Sequence, residues 1–156
     1  MGIPQRIILD THIWFWFINQ DFQRFPDSWR EKIETANQVS VSVISCYEIA
    51  LAHQRGRLEL PCAANQWFQE ALDPVGITLL ALTPDITCRA VNLTAIHKDP
   101  FDRIIIATTL EYQAQLASID GLFPQYPELD IYLGLAEKVK KRRKCGLGKY
   151  GLKKHR

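Results

Sequence analysis

The sequence has few of the features that mark zinc, disulfide-rich and membrane proteins. Its 156 residues include only 4 cysteines, which form no C-x-x-C pair and do not stand at zinc-site spacing from a histidine. No signal-peptide pattern begins the sequence. The apolar run in the first aromatic segment, Ile13 to Ile18, has six residues, whereas a membrane helix needs about 20. We therefore expect a cytoplasmic protein with reduced thiols that does not span a membrane.

Acidic residues are missing from the end of the chain. The stretch 138–156 contains 10 lysines and arginines and no acid, whereas residues 1–137 contain 9 basic and 17 acidic residues. The net charge of +2 therefore hides two oppositely charged parts. We expect a single acidic domain over residues 1–137, followed by a basic tail over residues 138–156.

Strands and helices alternate along the chain, with no internal repeat. Apolar or alternating segments predict strands at Arg6–Leu9, Val39–Val43, Gly76–Leu82 and Leu116–Asp120, with a weaker fifth candidate at Asp130–Leu135. Periodicity and capping residues predict helices at Pro26–Asn37, Ser45–Gly56 and Pro61–Leu72, and helix N-caps at Thr11, Thr83 and Asp99. Such alternation is typical of an α/β fold with a mostly parallel sheet of four to five strands and helices on both faces.

Four acids fall at strand ends or helix starts of this predicted sheet. Asp10 follows the first strand inside the apolar segment "IILDTHIWFWF", and Asp120 follows the fourth strand. Glu48 and Asp102 each lie near the start of a helix, with Asp99 close to the latter. Because ligands bind beyond the carboxyl ends of parallel strands, we expect these side chains to converge on one edge of the sheet.

Taken singly, most of these acids also fit structural roles. Glu48 closes an S-C-Y-E capping box, and Asp120 suits a turn. Asp99 is a natural N-cap, and Asp102 suits the positive end of its helix. Asp10 has no such partner in the sequence. Since an unpaired buried charge is costly, its apolar setting favours a functional role.

Taken together, the acids predict a cation. Two carboxylates about 4 Å apart repel by roughly 4 kcal/mol at an effective dielectric constant of about 20. Several around one pocket need protons or a bound ion to offset their charge. An all-oxygen site suits Mg²⁺ or Mn²⁺ rather than zinc, and such ions assist phosphoryl chemistry. The hypothesis is metal-assisted hydrolysis of a phosphodiester.

Three segments strongly resemble one family. "ILDTHIWFW", "SVISCYEIALAHQRGRLELP" and "HKDPFDRIIIATTLEYQAQLASIDGLFPQY" are similar to the PIN-domain ribonucleases, in particular the VapC-type toxins of toxin–antitoxin pairs. The resemblance spans about Ile7 to Tyr126 and includes the order of all four acids. It implies a PIN-like three-layer α/β/α nuclease domain and a Mg²⁺- or Mn²⁺-dependent endoribonuclease that cuts RNA. It also implies a homodimer silenced by a cognate antitoxin.

The resemblance also implies roles for single residues. The catalytic and metal-binding acids would be Asp10, Glu48, Asp102 and Asp120. Thr11 and Ser118 would support a carboxylate or a water at the metal, although threonine is more usual at the second position, and Asp99 would support the same site. Ala52 stands where related chains often have lysine. Phosphate contacts would then fall to Arg55, Arg103, Lys140, Lys141, Arg142, Arg143 or Lys144.

Other features have weaker interpretations. The aromatics Trp14 to Phe17 are expected in the core or a dimer interface rather than stacked on RNA. His12 is expected to be structural, and His97 and Lys98 are expected on a loop face. The tail is equally consistent with phosphate binding and with a solvated extension.

Rival functions share part of this acid pattern. An aspartyl phosphatase would need a second aspartate where His12 stands, and a phosphoacceptor receiver would need paired acids after the first strand. A PIN-like structure-specific DNA nuclease fits the same acids. A non-catalytic RNA- or protein-binding scaffold also remains open, although the intact set of acids argues against it.

Overall fold

The computed structural model describes residues 5–129. The predicted fifth strand, the proposed domain boundary at residue 137 and the basic tail lie outside the described residues. No helix within 5–129 is long and apolar enough to cross a membrane.

Four parallel strands form one sheet in the order β3-β2-β1-β4. They are β1 (Arg6–Leu9), β2 (Gln38–Ser42), β3 (Ile77–Leu80) and β4 (Gln115–Ala117). Ile8 pairs with Ser40 on one side and with Leu116 on the other. The chain order changes direction at β1, between β2 and β4, so a crevice forms beyond the ends of these strands.

Six helices and three short 3-10 turns connect the strands within residues 5–129. The helices are α1 (Thr11–Ile18), α2 (Asp27–Thr35), α3 (Val43–Gln54), α4 (Ala64–Ala71), α5 (Pro84–Val91) and α6 (Pro100–Glu111). The 3-10 turns are Phe22–Arg24, Asp73–Val75 and Phe123–Gln125. The predicted N-caps of α5 and α6 are confirmed, because the side chains of Thr83 and Asp99 accept hydrogen bonds from the first turns of these helices.

Three predicted helix starts are wrong. Helix α4 begins at Ala64 with Ala63 as its N-cap, whereas the predicted helix begins at Pro61. Asp10, not Thr11, is the N-cap of α1, and its carboxylate accepts from the backbone N–H of Thr11. Helix α3 begins at Val43 with Ser42 as its N-cap, three residues before the predicted cap. Ser42 ends β2 in extended backbone, which is the conformation an N-cap requires. Strand β2 therefore passes directly into α3.

The core lies on both faces of the sheet. Ile7 and Leu9 of β1 belong to a cluster that contains Trp14, while Ile8 between them belongs to a second cluster with Ile105. Since neighbouring residues of a strand point to opposite faces, the two clusters define the predicted three-layer α/β/α arrangement. The core placement predicted for the aromatics is confirmed for Trp14 and Trp16, which are 0% and 2% exposed.

Candidate metal centre

Asp10 is held at the junction of β1 and α1. Its Oδ1 accepts the N–H of Thr11 at 2.9 Å, and its Oδ2 accepts the hydroxyl of Ser118 at 2.8 Å. Its own backbone N–H donates to the carbonyl of Ala117, joining the ends of β1 and β4. The carboxylate is 3% exposed. Asp10 is therefore both a helix cap and a buried, oriented acid.

Thr11 connects α1 to the glutamate of α3. Its hydroxyl donates to Glu48 Oε1 at 2.6 Å, and its oxygen lies 2.8 Å from the Ser45 hydroxyl. Because the one proton of Thr11 goes to Glu48, the Ser45 hydroxyl donates to Thr11. The capping-box interpretation of Glu48 is wrong, since the helix begins three residues earlier and Ser45 faces Thr11 instead.

Asp102 is the most enclosed of the acids. It lies in the first turn of α6, three residues after the N-cap Asp99, and is 0% exposed. One oxygen from each of Glu48, Asp99 and Asp102 lies within 4.8 Å of the others, close enough to bind one ion. Asp102 can stabilise the start of α6 and also bind a metal ion, because its carboxylate lies at the positive end of this helix.

His97 also lies beside these acids, a position that the sequence did not predict. Its Nε2 lies 3.0 Å from Asp120 Oδ2 and 3.3 Å from Asp102 Oδ2, and its side chain is 11% exposed. His97, Asp102 and Asp120 form a second possible metal triplet. The expected loop-face position is therefore wrong for His97. The one signal in the sequence was its place just before the "DPFD" helix start.

Ser118 connects Asp10 to the two metal triplets through hydrogen bonds. Its hydroxyl donates to Asp10 Oδ2, and its oxygen accepts the backbone N–H of Asp120 at 3.1 Å. The two metal triplets share Asp102, while Asp10 is linked to them through Ser118 and Thr11. The structure thus brings Glu48, Asp102 and Asp120 into two triplets that share Asp102, and Asp10 joins them through hydrogen bonds of Ser118 and Thr11.

The predicted phosphate contacts are placed differently. Arg55 is exposed at the C-cap of α3. The guanidinium of Arg103 donates to five backbone carbonyls at the end of α5 and in the loop that follows: Ala90, Val91, Leu93, Thr94 and His97. These contacts favour a structural role for Arg103 over the predicted RNA contact. The other predicted phosphate contacts, Lys140, Lys141, Arg142, Arg143 and Lys144, lie outside the described residues.

The donor set fits a divalent cation. Carboxylates from α3, the start of α6 and the segment after β4 form two adjoining triplets, so a positive ion would offset their repulsion. The presence of His97 means that the pocket offers one nitrogen besides its oxygens, which corrects the all-oxygen prediction. Mg²⁺ and Mn²⁺ both accept carboxylate ligands, and imidazole is a ligand of transition ions.

Comparison with known proteins places the chain in a family. The sequence profile of the PIN domain matches residues 7–129, so the chain belongs to the PIN domain family. Over 115 residues it is 30% identical to Ribonuclease VapC22 of Mycobacterium tuberculosis. The alignment covers 73% of this chain and 86% of that relative.

Solved structures show the same fold. VapBC2 from Rickettsia felis, bound to a DNA fragment from its promoter, gives a TM-score of 0.58 at 18% identity and covers 82% of this chain and 98% of that one. DNA-bound VapBC from Salmonella typhimurium gives a TM-score of 0.59 at 14% identity. The match covers 82% of this chain and 97% of that one. These neighbours confirm the predicted fold.

Proposed function

We propose that this protein is a divalent-metal-dependent endoribonuclease and the toxin of a toxin–antitoxin pair. The observation that carries the proposal is the meeting of Glu48, Asp99 and Asp102 in one triplet and of Asp102 with Asp120 in a second. Glu48 comes from α3, Asp99 and Asp102 from the start of α6, and Asp120 from the segment after β4, yet their oxygens stand within the reach of one or two ions. A relative named as a ribonuclease supports RNA as the substrate class.

The pocket residues have distinct tasks in this proposal. Glu48, Asp102 and Asp120 would hold the ion, together with Asp10. When bound, Mg²⁺ or Mn²⁺ would stabilise negative charge on the phosphoryl oxygens and favour the ionised form of an attacking water. Because water is the nucleophile, no covalent intermediate with the enzyme is required.

Hydroxyl groups would hold the acids in position. Thr11 donates to Glu48, and Ser118 donates to Asp10 while accepting from the backbone of Asp120. Each of these hydrogen bonds holds the carboxylate group that accepts it in a fixed orientation. A fixed ligand geometry keeps the loss of conformational freedom small when the ion binds. Thr11 and Ser118 would therefore tune metal affinity without touching the substrate.

RNA needs positive charge to approach this acidic domain. Residues 1–137 carry 17 acidic and 9 basic residues, so the domain by itself repels a polyanion. Arg55 and the basic tail at 138–156 would supply phosphate contacts, whereas Arg103 is occupied by backbone carbonyls. The division into nuclease domain and tail is part of this proposal.

The same comparison supports an expectation about partner proteins. The solved neighbours include VapBC complexes and a toxin–antitoxin complex from Klebsiella pneumoniae. We expect a cognate antitoxin to insert a segment into the acidic groove and so block RNA. We also expect a homodimer that acts in the cytoplasm.

The proposal is tested by incubating the purified full chain with a mixed panel of RNA and single-stranded DNA. Reactions contain Mn²⁺, Mg²⁺ or EDTA, and include Asp10→Asn. Asp85→Asn is the matched control, because it changes an exposed acid in the first turn of α5. We expect metal-dependent RNA cleavage by the parent protein and the control, and only background cleavage by Asp10→Asn.

Three results would contradict the proposal in different ways. Cleavage that persists in EDTA would refute metal dependence. Cutting of DNA alone would identify a structure-specific DNA nuclease. Tight RNA or protein binding without cleavage in any metal would identify a non-catalytic scaffold.

A further inference from the structure

His97 is the one histidine of the described residues that lies within reach of two pocket carboxylates. Its Nε2 is 3.0 Å from Asp120 Oδ2 and 3.3 Å from Asp102 Oδ2. We propose that His97 supplies a nitrogen ligand to the ion held by Asp102 and Asp120, and that this makes the centre prefer Mn²⁺ to Mg²⁺. This inference deepens the proposed function and rests on it for the presence of the ion.

The two distances from His97 Nε2 to the carboxylate oxygens suit ligands of one octahedral ion. Adjacent ligands with bonds of about 2.1 Å stand about 3.0 Å apart, and opposite ligands about 4.2 Å apart. The two separations measured from His97 Nε2 are those of adjacent ligands. All three atoms lie within 4.8 Å of one another, so they form a group that could hold one ion.

His97 is held in this place by two hydrogen bonds to its backbone and one contact to its ring. The backbone N–H of His97 donates to the hydroxyl of Tyr126 at 2.7 Å, and its carbonyl accepts from Arg103 at 3.2 Å. The ring stands edge-on to Phe123, with 5.7 Å between centroids. Tyr126 and Phe123 are 2% and 0% exposed. Such support positions a ligand before the ion arrives, as is usual for metal-binding histidines.

A nitrogen ligand changes which ion is favoured. Mg²⁺ binds oxygen almost exclusively and keeps several waters, whereas transition ions accept imidazole. An imidazole at one position therefore strengthens Mn²⁺ binding much more than Mg²⁺ binding. The second triplet, with Glu48 and Asp99 around the shared Asp102, contains oxygen alone and carries no such preference.

The rival explanation is that His97 only donates a hydrogen bond to the two carboxylates. The separations of 3.0 and 3.3 Å also suit that role. In that case the ring would orient Asp120 and Asp102 without touching the ion. The two explanations differ in whether nitrogen is bonded directly to the metal, which spectroscopy can detect.

The test is pulsed electron paramagnetic resonance of the full chain loaded with Mn²⁺, after removal of any purification tag. Protein labelled with ¹⁵N only at histidine is compared with unlabelled protein, so that the coupled nucleus is identified as imidazole nitrogen. The variants are His97→Asn and, as matched control, His12→Asn. His12 lies two residues past Asp10 and stacks on Trp16 at 5.6 Å between ring centroids.

We expect strong nitrogen coupling in the parent protein and in the His12 variant, and its loss in His97→Asn. Calorimetric titration with each metal should show that His97→Asn weakens Mn²⁺ binding by about tenfold or more. Mg²⁺ binding should change by less than about threefold, since Mg²⁺ makes little use of nitrogen.

The inference is overturned if Mn²⁺ binds the parent protein and its spectrum shows no imidazole nitrogen coupling. It is also overturned if the coupling survives in His97→Asn, or if both metals lose affinity equally. The parent spectrum decides the question even if a variant fails to fold. No RNA is present, so failure of this inference is separate from failure of the ribonuclease proposal.

Discussion

Replacing Arg103 by methionine tests whether this residue supports the fold or contacts RNA. In the structure all five N–H groups of the guanidinium donate to backbone carbonyls, at distances of 2.9–3.3 Å. The acceptors lie at the end of α5 and in the following loop, which leads to His97. Methionine keeps much of the apolar stem but removes every donor.

The expected loss of stability follows from the surroundings of each bond. The bonds to Ala90, Leu93 and His97 are partly buried, while those to Val91 and Thr94 are exposed. A partly buried hydrogen bond contributes about 1 kcal/mol net, and water readily replaces an exposed one. We therefore expect Arg103→Met to lower the free energy of unfolding by about 3 kcal/mol. For a chain of this size that lowers Tm by roughly 6–12 °C.

The assay is urea unfolding followed by circular dichroism, with RNA binding measured on the same samples. Arg103→Lys should recover only part of the loss, because an ammonium group has three donors and no planar fork. Arg89→Met is the matched control. Arg89 makes one ion pair with Glu111, half-exposed at 3.2 Å, so its removal should cost less than about 1 kcal/mol. An Arg103→Met protein of unchanged stability but weakened RNA binding would refute this reasoning and restore the sequence-based assignment.

Three further predictions concern the pocket, a thiol and the pocket rim. Ser118→Ala removes the hydroxyl between Asp10 and Asp120, so calorimetry should show that metal affinity falls about tenfold or more. Ser118→Thr keeps a hydroxyl and should bind the metal nearly as well as the parent protein. Equal metal affinities of Ser118→Ala and the parent protein would contradict the role given to Ser118. Burial raises the pKa of Cys46 to about 11, so its thiol stays protonated near pH 8. Peptide mapping should therefore show slow alkylation of Cys46 beside fast alkylation of the exposed Cys88, and equal rates would show that Cys46 is more accessible than the structure indicates. Tyr47 precedes Glu48, is 54% exposed and contacts Phe101 edge-on, so it can stack on a base. RNA binding is measured by fluorescence anisotropy in an Asp10→Asn background. Tyr47→Ala should weaken RNA binding about tenfold, whereas Tyr47→Phe should not weaken it. If Tyr47→Ala changes the oligomeric state and leaves RNA affinity unchanged, Tyr47 lies in a subunit interface instead.

The sheet and the approximate places of the acids were predictable because they depend on local patterns. Short apolar segments marked the strands, and parallel strands bring their carboxyl ends to one edge. The start of α3 was less predictable. Ser42 at the end of β2 and Ser45 after it could each cap the helix. The choice of Ser42 depends on where the strand ends, which pairing with β3 sets.

The place of His97 could not be read from local sequence. It depends on the path of the loop between α5 and α6, which is set by distant contacts. Arg103 binds the carbonyls of this loop, Tyr126 binds the backbone of His97, and Glu128 accepts from the backbone and hydroxyl of Thr94. The Thr94 N–H also lowers the pKa of Glu128, so this contact is strongest with the carboxylate ionised. Pattern analysis sees none of these long-range partners.

Anomalous diffraction from crystals grown with Mn²⁺ tests most directly whether the acids of this pocket share a divalent ion. We expect an anomalous peak within about 2.5 Å of an Asp102 carboxylate oxygen, bounded by Asp120 and His97 or by Glu48 and Asp99. A structure in which Mn²⁺ occupies other sites, while the space around Asp102 holds no metal, would contradict the account.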